Sequence, residues 1–413
     1  MKRFMLSVIV LVLVLGLFVP SIAQEDVTLR VLWFNDANES DVFLDTIQPY
    51  LDENPHIKID MQVVAFSDYE QKLKVMLTGD MAPDLARVTN NQIPVFLSEL
   101  EPIAPYIEDI KDVESAFMAA SLAFAKNEND EIIAYPTEAT ANGMIVNKTA
   151  FEKAGVDVAE VSKTWTWEEW EEIIKKVIAV EGNPTYGLAL DFTPHRFSTL
   201  LFEFGGRMMN DDYTAVNFSN EKTVETITWF KRMHDEKIVP ESVWLGSENP
   251  AELFQAGVVA CHIGGSWNIN VYAKNIKDFE WMVVVPPKGE IVSSVPGGKF
   301  VASFKGSKNK EEAQKLMAWF SEDGPNAKYC CDTFNLSSRI DSSVEYPSNT
   351  SDFAAFSEAL KATPVYVANE WKNPVLSQIS PVIKEQIVLA LMGDISPADA
   401  AAAIDQKGAE MMK

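Results

Sequence analysis

The sequence predicts an α/β protein of two lobes, each a mainly parallel sheet flanked by helices. Three observations carry that prediction. Strand-like and helix-like segments alternate with short links from Val27 to Val88, and again from Gly143 to Pro286, the pattern of a parallel sheet covered on both faces. The 390 residues after Ala23 exceed what one core can hold, since cores stop growing near ~250–300 residues. No low-complexity or flexible linker separates the two stretches, so short crossing strands should join lobes that share an interface, where ligand clefts form.

The elements follow in order. Lys2 and Arg3, an apolar run from Met5 to Val19 and then Pro20-Ser21-Ile22-Ala23 have the layout of a signal peptide over residues 1–23, cleaved near Ala23. The mature chain is therefore expected to be soluble, in the periplasm or outside the cell. Val27–Phe34 alternates and then runs apolar, as a strand entering a covered sheet does. A helix over Asp41–Glu53 ends at Asn54-Pro55, and Ile57–Val64 is a second strand. Ser67 and Glu70 have the spacing of a capping box at the head of a helix that Gly79 closes. Pro83–Val88 makes a third strand.

In the second stretch, strands are expected at Gly143–Asn147, Tyr186–Asp191, Val258–Ile263 and Trp281–Pro286. Thr166 and Glu169 form another capping box, and a further helix spans Asn220–Glu236. The last third reads as helical, with candidates at Lys310–Ser321, Phe353–Leu360 and Pro381–Met392.

Composition narrows the function. A formal charge of −25 argues against nucleic acid or an anionic membrane as partner. Three cysteines are too few for a disulfide framework; Cys261 reads as a buried thiol, and Cys330 and Cys331 could pair only with strain. The four histidines lack ligand spacing, so neither metal nor cofactor is expected. No GxSxG, HExxH or phosphate-loop motif is present.

Ligand crevices lie beyond the carboxyl ends of parallel strands. There the sequence places Trp33-Phe34-Asn35-Asp36, Thr89-Asn90-Asn91-Gln92, Pro194-His195-Arg196 and Gly264-Gly265-Ser266-Trp267. Amides, short acids and aromatics suit a neutral polyhydroxylated ligand: the polar groups bond hydroxyls and an aromatic face covers a sugar ring. The glycine pair is expected to turn the chain through torsions other residues avoid, with Ser266 capping the next helix and Trp267 on its first turn, facing the cleft. The alternative is that Trp267 plugs a gap between helix and sheet. Trp244 and Trp371 fall in segments that read as irregular, where a tryptophan suggests binding more than packing. Gly298, in Pro296-Gly297-Gly298-Lys299, either lets backbone approach a ligand or simply bends the chain. With Tyr69 at the head of the second helix it completes the candidate set.

Taken in order, "SDYEQKLKVMLTGDMAPDLARV", "IIAYPTEATANGMIVNKTAFEKAGV", "TWTWEEWEEIIKKV", "LFEFGGRMMN", "FQAGVVACHIGGSW" and "SVPGGKFVASFKGSKNKEEAQKLMAWFS" resemble the extracellular solute-binding proteins of the family-1 sugar type, which serve ATP-driven importers. The resemblance covers essentially the whole mature chain. It implies a type II-like periplasmic-binding-protein fold with crossing hinge segments, and lobes over residues 24–137 plus 295–338 and 138–294 plus 339–413. It implies a sugar stacked on Trp267, hydroxyls bonded by Asn35, Asp36, Asn90 and Asn91, and Glu138, with Thr140 close behind, entering the cleft. The implied partners are a small-molecule ligand, a sugar, and the permease of an ABC importer; a monomer is expected. Asn90-Asn91 departs from the family pattern, where a carboxylate is frequent. Two rival readings remain at this point: the same fold binding a charged solute such as a sugar phosphate, through Arg87, Arg196, Arg207 or Arg339, and a secreted carbohydrate-active enzyme.

Overall fold

The computed structural model describes residues 26–35 and 38–412; the signal-peptide expectation for residues 1–23, and Asp36, lie outside them. Two sheets organise the chain. Among the described residues the first has five strands and the second four.

In the first sheet β1 (Val27–Trp33), β2 (Ile57–Val63) and β3 (Leu85–Thr89) are parallel neighbours. The intervening helices are Glu39–Glu53 and Phe66–Thr78. Two strands were not legible as such: β4 (Tyr135–Thr140) and β9 (Gly297–Ala302). Strand β9 runs antiparallel between β3 and β4, with an irregularity between Pro136 and Glu138. A proline, a bulge and a glycine pair hide the alternation in sequence, and the ladder bonds to neighbouring strands supply what local propensity does not. Gly298 serves this close pairing, since a Cβ there would lie 2.5 Å from the Glu138 carbonyl oxygen.

In the second sheet β6 (Tyr186–Leu190) is parallel to β7 (Val259–Gly265), while β5 (Asn142–Asn147) runs antiparallel to both β7 and β8 (Trp281–Val284). Each sheet is thus mixed, with one reversed strand. The chain passes from the first sheet to the second at Ala141 and returns between Val284 and Gly297. Residues 138–140 therefore belong to the first sheet, three residues beyond the expected 137/138 boundary. Helix Asp323–Thr333 packs on helix Glu39–Glu53 of the first unit, and helix Thr350–Ala362 packs on β5 and β8, which puts a third passage in residues 334–349.

The capping box at Thr166 forms: its hydroxyl accepts from the Glu169 amide and Glu169 Oε2 accepts from the Thr166 amide at 2.9 Å. The one at Ser67 does not. That helix starts one residue earlier, at Phe66, with Ala65 in the cap position and no side-chain cap, so Ser67 already lies inside the first turn. The ring of Phe66 lies 4.9 Å from that of Phe34. Trp244 and Trp371 also depart from expectation. Both lie on helices, Glu241–Trp244 and Val365–Lys372, and both are buried. All three cysteines are free, with Cys261 and Cys330 buried.

Candidate functional site

Strand β7 delivers Trp267 to the gap between the two sheets. The strand runs through Gly264 and Gly265, and neither glycine has a positive φ, so the expected unusual torsions are absent. What these glycines provide is space. A Cβ at Gly264 would sit 2.5 Å from the His262 ring, and one at Gly265 would sit 2.1 Å from the Trp267 indole. The indole thus folds back against bare backbone. Ser266 does not cap the next helix with its hydroxyl: its amide donates to the Ala141 carbonyl and its own carbonyl accepts from Ile269. Trp267 itself occupies the cap position of helix Asn268–Asn275, and 46% of it stays exposed.

Beneath the indole lies a charged network. The guanidinium carbon of Arg196 is 4.9 Å from the Trp267 ring centroid, within cation–π range. Arg196 is itself buried. Its Nε donates to Asp191 Oδ2 at 3.1 Å, and Nη1 donates to Asn142 Oδ1 and lies 3.0 Å from His195 Nδ1. The placement follows from Thr193, whose hydroxyl accepts from the Arg196 amide and caps helix Pro194–Glu203. Asp191 Oδ1 is 3.7 Å from His262 Nε2, and His262 Nδ1 is 2.6 Å from the Tyr272 hydroxyl. Burial works against ionisation of Asp191, but His262 and Arg196 outweigh it and hold the carboxyl below its ordinary range. For His195, burial first and the Arg196 charge second push the imidazole down to about 3. It is neutral at physiological pH.

The opposite wall comes from the loop after β3. The Asn90 amide donates to the Gly298 carbonyl, Asn90 Oδ1 accepts from the Gly298 amide, and Asn90 Nδ2 donates to Asn91 Oδ1 at 3.1 Å. Asn90, Asn91, Thr140, Asp191, Trp267 and Trp371 all line one cleft of about 480 Å3. It continues past Asn90, Asn91 and Thr140 into a space of about 470 Å3 bordered by Phe66 and Lys299. On the other side it continues past Trp371 into a hollow of about 320 Å3 bordered by Val95 and Pro374.

Of the residues expected at the site, Asn90, Asn91, Arg196, Trp267 and Trp371 come together around this cleft, and Gly298 borders its extension. Four do not. Trp33 is fully buried, 4.5 Å from Phe43, and Tyr69 is fully buried with its hydroxyl donating to the Leu32 carbonyl; both fill the space between sheet and helices. Asn35 commits its amide group to Ser40 at the start of helix Glu39–Glu53, donating to Oγ and accepting from the backbone amide, each at 2.9 Å. Glu138 is wholly buried, bonded by Arg87 at 3.0 Å, Lys299 at 2.9 Å and the Tyr329 hydroxyl at 3.2 Å. It is a structural charge under the cleft floor. Trp371 lines the cleft with little of its surface, since Nε1 donates to Ser198 Oγ at 3.0 Å and its ring lies 5.0 Å from His195.

Asp191 is a cleft residue that the sequence reading does not include, and His195, placed at the crevice with Pro194 and Arg196, is one that it does not single out. The signal for Asp191 was present: reading the strand one residue too long, through Asp191, hid the carboxylate that directly follows Leu190. For His195 the predicted neutrality supplies a test. Its ring resonances in a histidine-selective NMR titration should stay unchanged from pH 8 to about 5. Because the folded value is depressed and the unfolded one is ordinary, near 6.5, this residue's contribution to stability is present above pH 6.5 and is lost as pH falls towards 3.

Two α/β units with a polar, aromatic-walled cleft between them define a protein that holds a small solute between lobes. Residues 37–327 match the family described as bacterial extracellular solute-binding protein, and the chain belongs to that family. It is 24% identical over 311 residues, 71% of this chain and 67% of the other, to the arabinooligosaccharide-binding protein of Halalkalibacterium halodurans. Among solved structures it is similar to an ABC substrate-binding protein of Listeria monocytogenes in complex with cycloalternan, with TM-score 0.73 and 23% identity over 93% of this chain and 98% of that one. It is also similar to the cyclic alpha-maltosyl-1,6-maltose binding protein of Arthrobacter globiformis, with TM-score 0.80 and 20% identity over 94% and 99%. No helix among the described residues is long and apolar enough to cross a membrane.

Proposed function

We propose that this protein captures an uncharged carbohydrate between its lobes and delivers it to the permease of an ATP-driven importer. The observation that carries the reading is the half-exposed indole of Trp267, seated on Gly265 beside the Asp191 carboxylate and facing the Asn90–Asn91 amides across one cleft. An indole face covers the C–H face of a sugar ring while carboxylate and amides bond its hydroxyls. The sugars named for the Halalkalibacterium, Listeria and Arthrobacter proteins support the same ligand class. The lobes divide at Ala141, at residues 285–296 and at 334–349, and close about those passages over the ligand. The protein acts as a monomer, without catalysis, after export and cleavage near Ala23.

A charged solute is disfavoured by how the arginines are held. Arg87 bonds Glu138, Arg207 bonds Glu370 and Asp211, and Arg339 bonds Asp341. Of the four, Arg196 alone lines the cleft, and it is paired. Lys299 and Lys372 border the adjoining hollows, the first paired with Glu138 and the second bonded to the Lys126 carbonyl.

A thermal-shift screen tests the reading. A ligand at a hundred times its dissociation constant stabilises the fold by about 2.7 kcal/mol, so at least one neutral mono- or oligosaccharide should raise the melting temperature. Shifts with phosphate esters or amines and none with carbohydrates would show the reading to be wrong. Release of shorter sugars from an oligosaccharide would show that the protein is an enzyme.

A further inference from the structure

We infer that Asp191 is the specificity-determining residue of the cleft: by neutralising Arg196 while presenting a carboxylate edge to the ligand, it admits hydroxylated neutral solutes and rejects anions. The inference rests on the carbohydrate reading for the class of ligand admitted.

The geometry is that of a shared carboxylate. Oδ2 is occupied by the Arg196 Nε–H at 3.1 Å, Oδ1 looks toward His262 at 3.7 Å, and the side chain remains 31% exposed on the cleft wall. Among the described residues Asp191 is the one carboxylate within ion-pair distance of Arg196, whose other side-chain partners, Asn142 and His195, are neutral. Arg196 is too buried for water to screen it, with 7% side-chain exposure, so its charge is matched by Asp191 or not at all. With Asp191 ionised, the Arg196 charge beside Trp267 is matched and the wall offers an acceptor to hydroxyl donors. An anionic solute placed there meets a carboxylate before it reaches the guanidinium, and like charges at close range discriminate strongly. Loss of that one negative charge would leave a buried guanidinium next to the stacking face, the arrangement that recognises carboxylates and phosphates.

Thermal shift and titration calorimetry on the mature chain decide the matter, with D-glucuronate and glucose 6-phosphate as anionic probes and, as neutral probe, the carbohydrate that shifts the wild type. Wild type should not respond to the anions. Asp191→Asn should bind at least one of them at least tenfold more tightly than wild type, with an affinity that falls as salt is added, and should bind the neutral carbohydrate at least tenfold more weakly. Asp191→Glu, which keeps the charge, should restore the exclusion of anions. A side chain with a purely structural role would weaken the neutral carbohydrate and leave both anions unbound. An Asp191→Asn protein that rejects both anions as wild type does overturns the inference. If the asparagine variant does not fold, Asp191→Ser is read by the same criterion. A wild type that responds to no carbohydrate defeats the proposed function instead, and the anionic arm still decides the role of Asp191.

Discussion

Trp267→Ala should weaken carbohydrate binding by about 30- to 150-fold, roughly 2–3 kcal/mol, while the melting of the unliganded protein hardly moves. The indole is nearly half exposed, so truncation opens no core cavity, and an exposed substitution of this kind typically changes stability by less than about 0.5–1 kcal/mol. In the complex the same ring would lose its remaining contact with water, at about 25 cal/mol per Å2 of apolar surface, together with the specific energy of a stacked face. Calorimetry and a thermal melt of the apo form separate the two roles, since a large loss of apo stability would mean that the ring is packing and not platform. Gly265→Ala provides the companion result. The added methyl would lie 2.1 Å from the indole, so the ring must swing off its seat, and binding should fall by about tenfold or more although Trp267 is still present. If Gly265→Ala binds as wild type does, the seat has no role in presenting the ring.

Glu138→Ala should cost about 3–5 kcal/mol of stability, read by urea unfolding, because it removes a wholly buried carboxylate that Arg87, Lys299 and the Tyr329 hydroxyl all bond. Arg87 has no exposed side-chain surface, and Lys299 has 16%. Burial alone would raise the Glu138 carboxyl, but the charges of Arg87 and Lys299 overcome burial and hold it at about 2. The sign of the pH dependence follows. The folded value lies below the ordinary one, so the stabilisation is complete above pH 4.5 and is lost as pH falls towards 2. The stability difference between wild type and Glu138→Gln should therefore be level from pH 5 to 8 and shrink below about 4.5. A difference that grows on acidification would show that Glu138 is not held as the anion.

Much of the framework was legible because it depends on local pattern. Strands β1, β2, β3, β5 and β6 could be read within a residue or two from apolar runs bounded by turn residues, and the Thr166–Glu169 box was readable because both partners lie within one helical turn. The same kind of signal failed at Ser67–Glu70, where the helix starts at Phe66 and Ser67 falls inside its first turn. Strands β4 and β9 were invisible because their partners are about 160 residues apart and their own residues carry no alternation.

The site divides in the same way. Sequence order placed Asn90, Asn91 and Trp267 after strands, and the carboxyl edges of both sheets do meet at the cleft. Sequence could not tell which aromatic or acid at a strand end looks inward. Trp33 ends a strand and Trp267 follows one by two residues, yet Trp33 fills the core against Phe43 while Trp267 lies on Gly265. Glu138 and Asp191 are both acids at strand ends or within them, yet one is sealed between Arg87 and Lys299 and the other keeps an edge on the cleft.

By itself, then, the sequence determined the class of fold, most of its elements and the chemical character of the strand ends, since each of these rests on residues close together along the chain. Tertiary structure alone decided the mixed sheets, the crossing at Ala141, the burial of Glu138, and the pairing of Asp191 with Arg196 under the indole. Those depend on which distant segments share a dry, crowded space, where a single Cβ at Gly265 or a single charge at Asp191 changes what the cleft can hold.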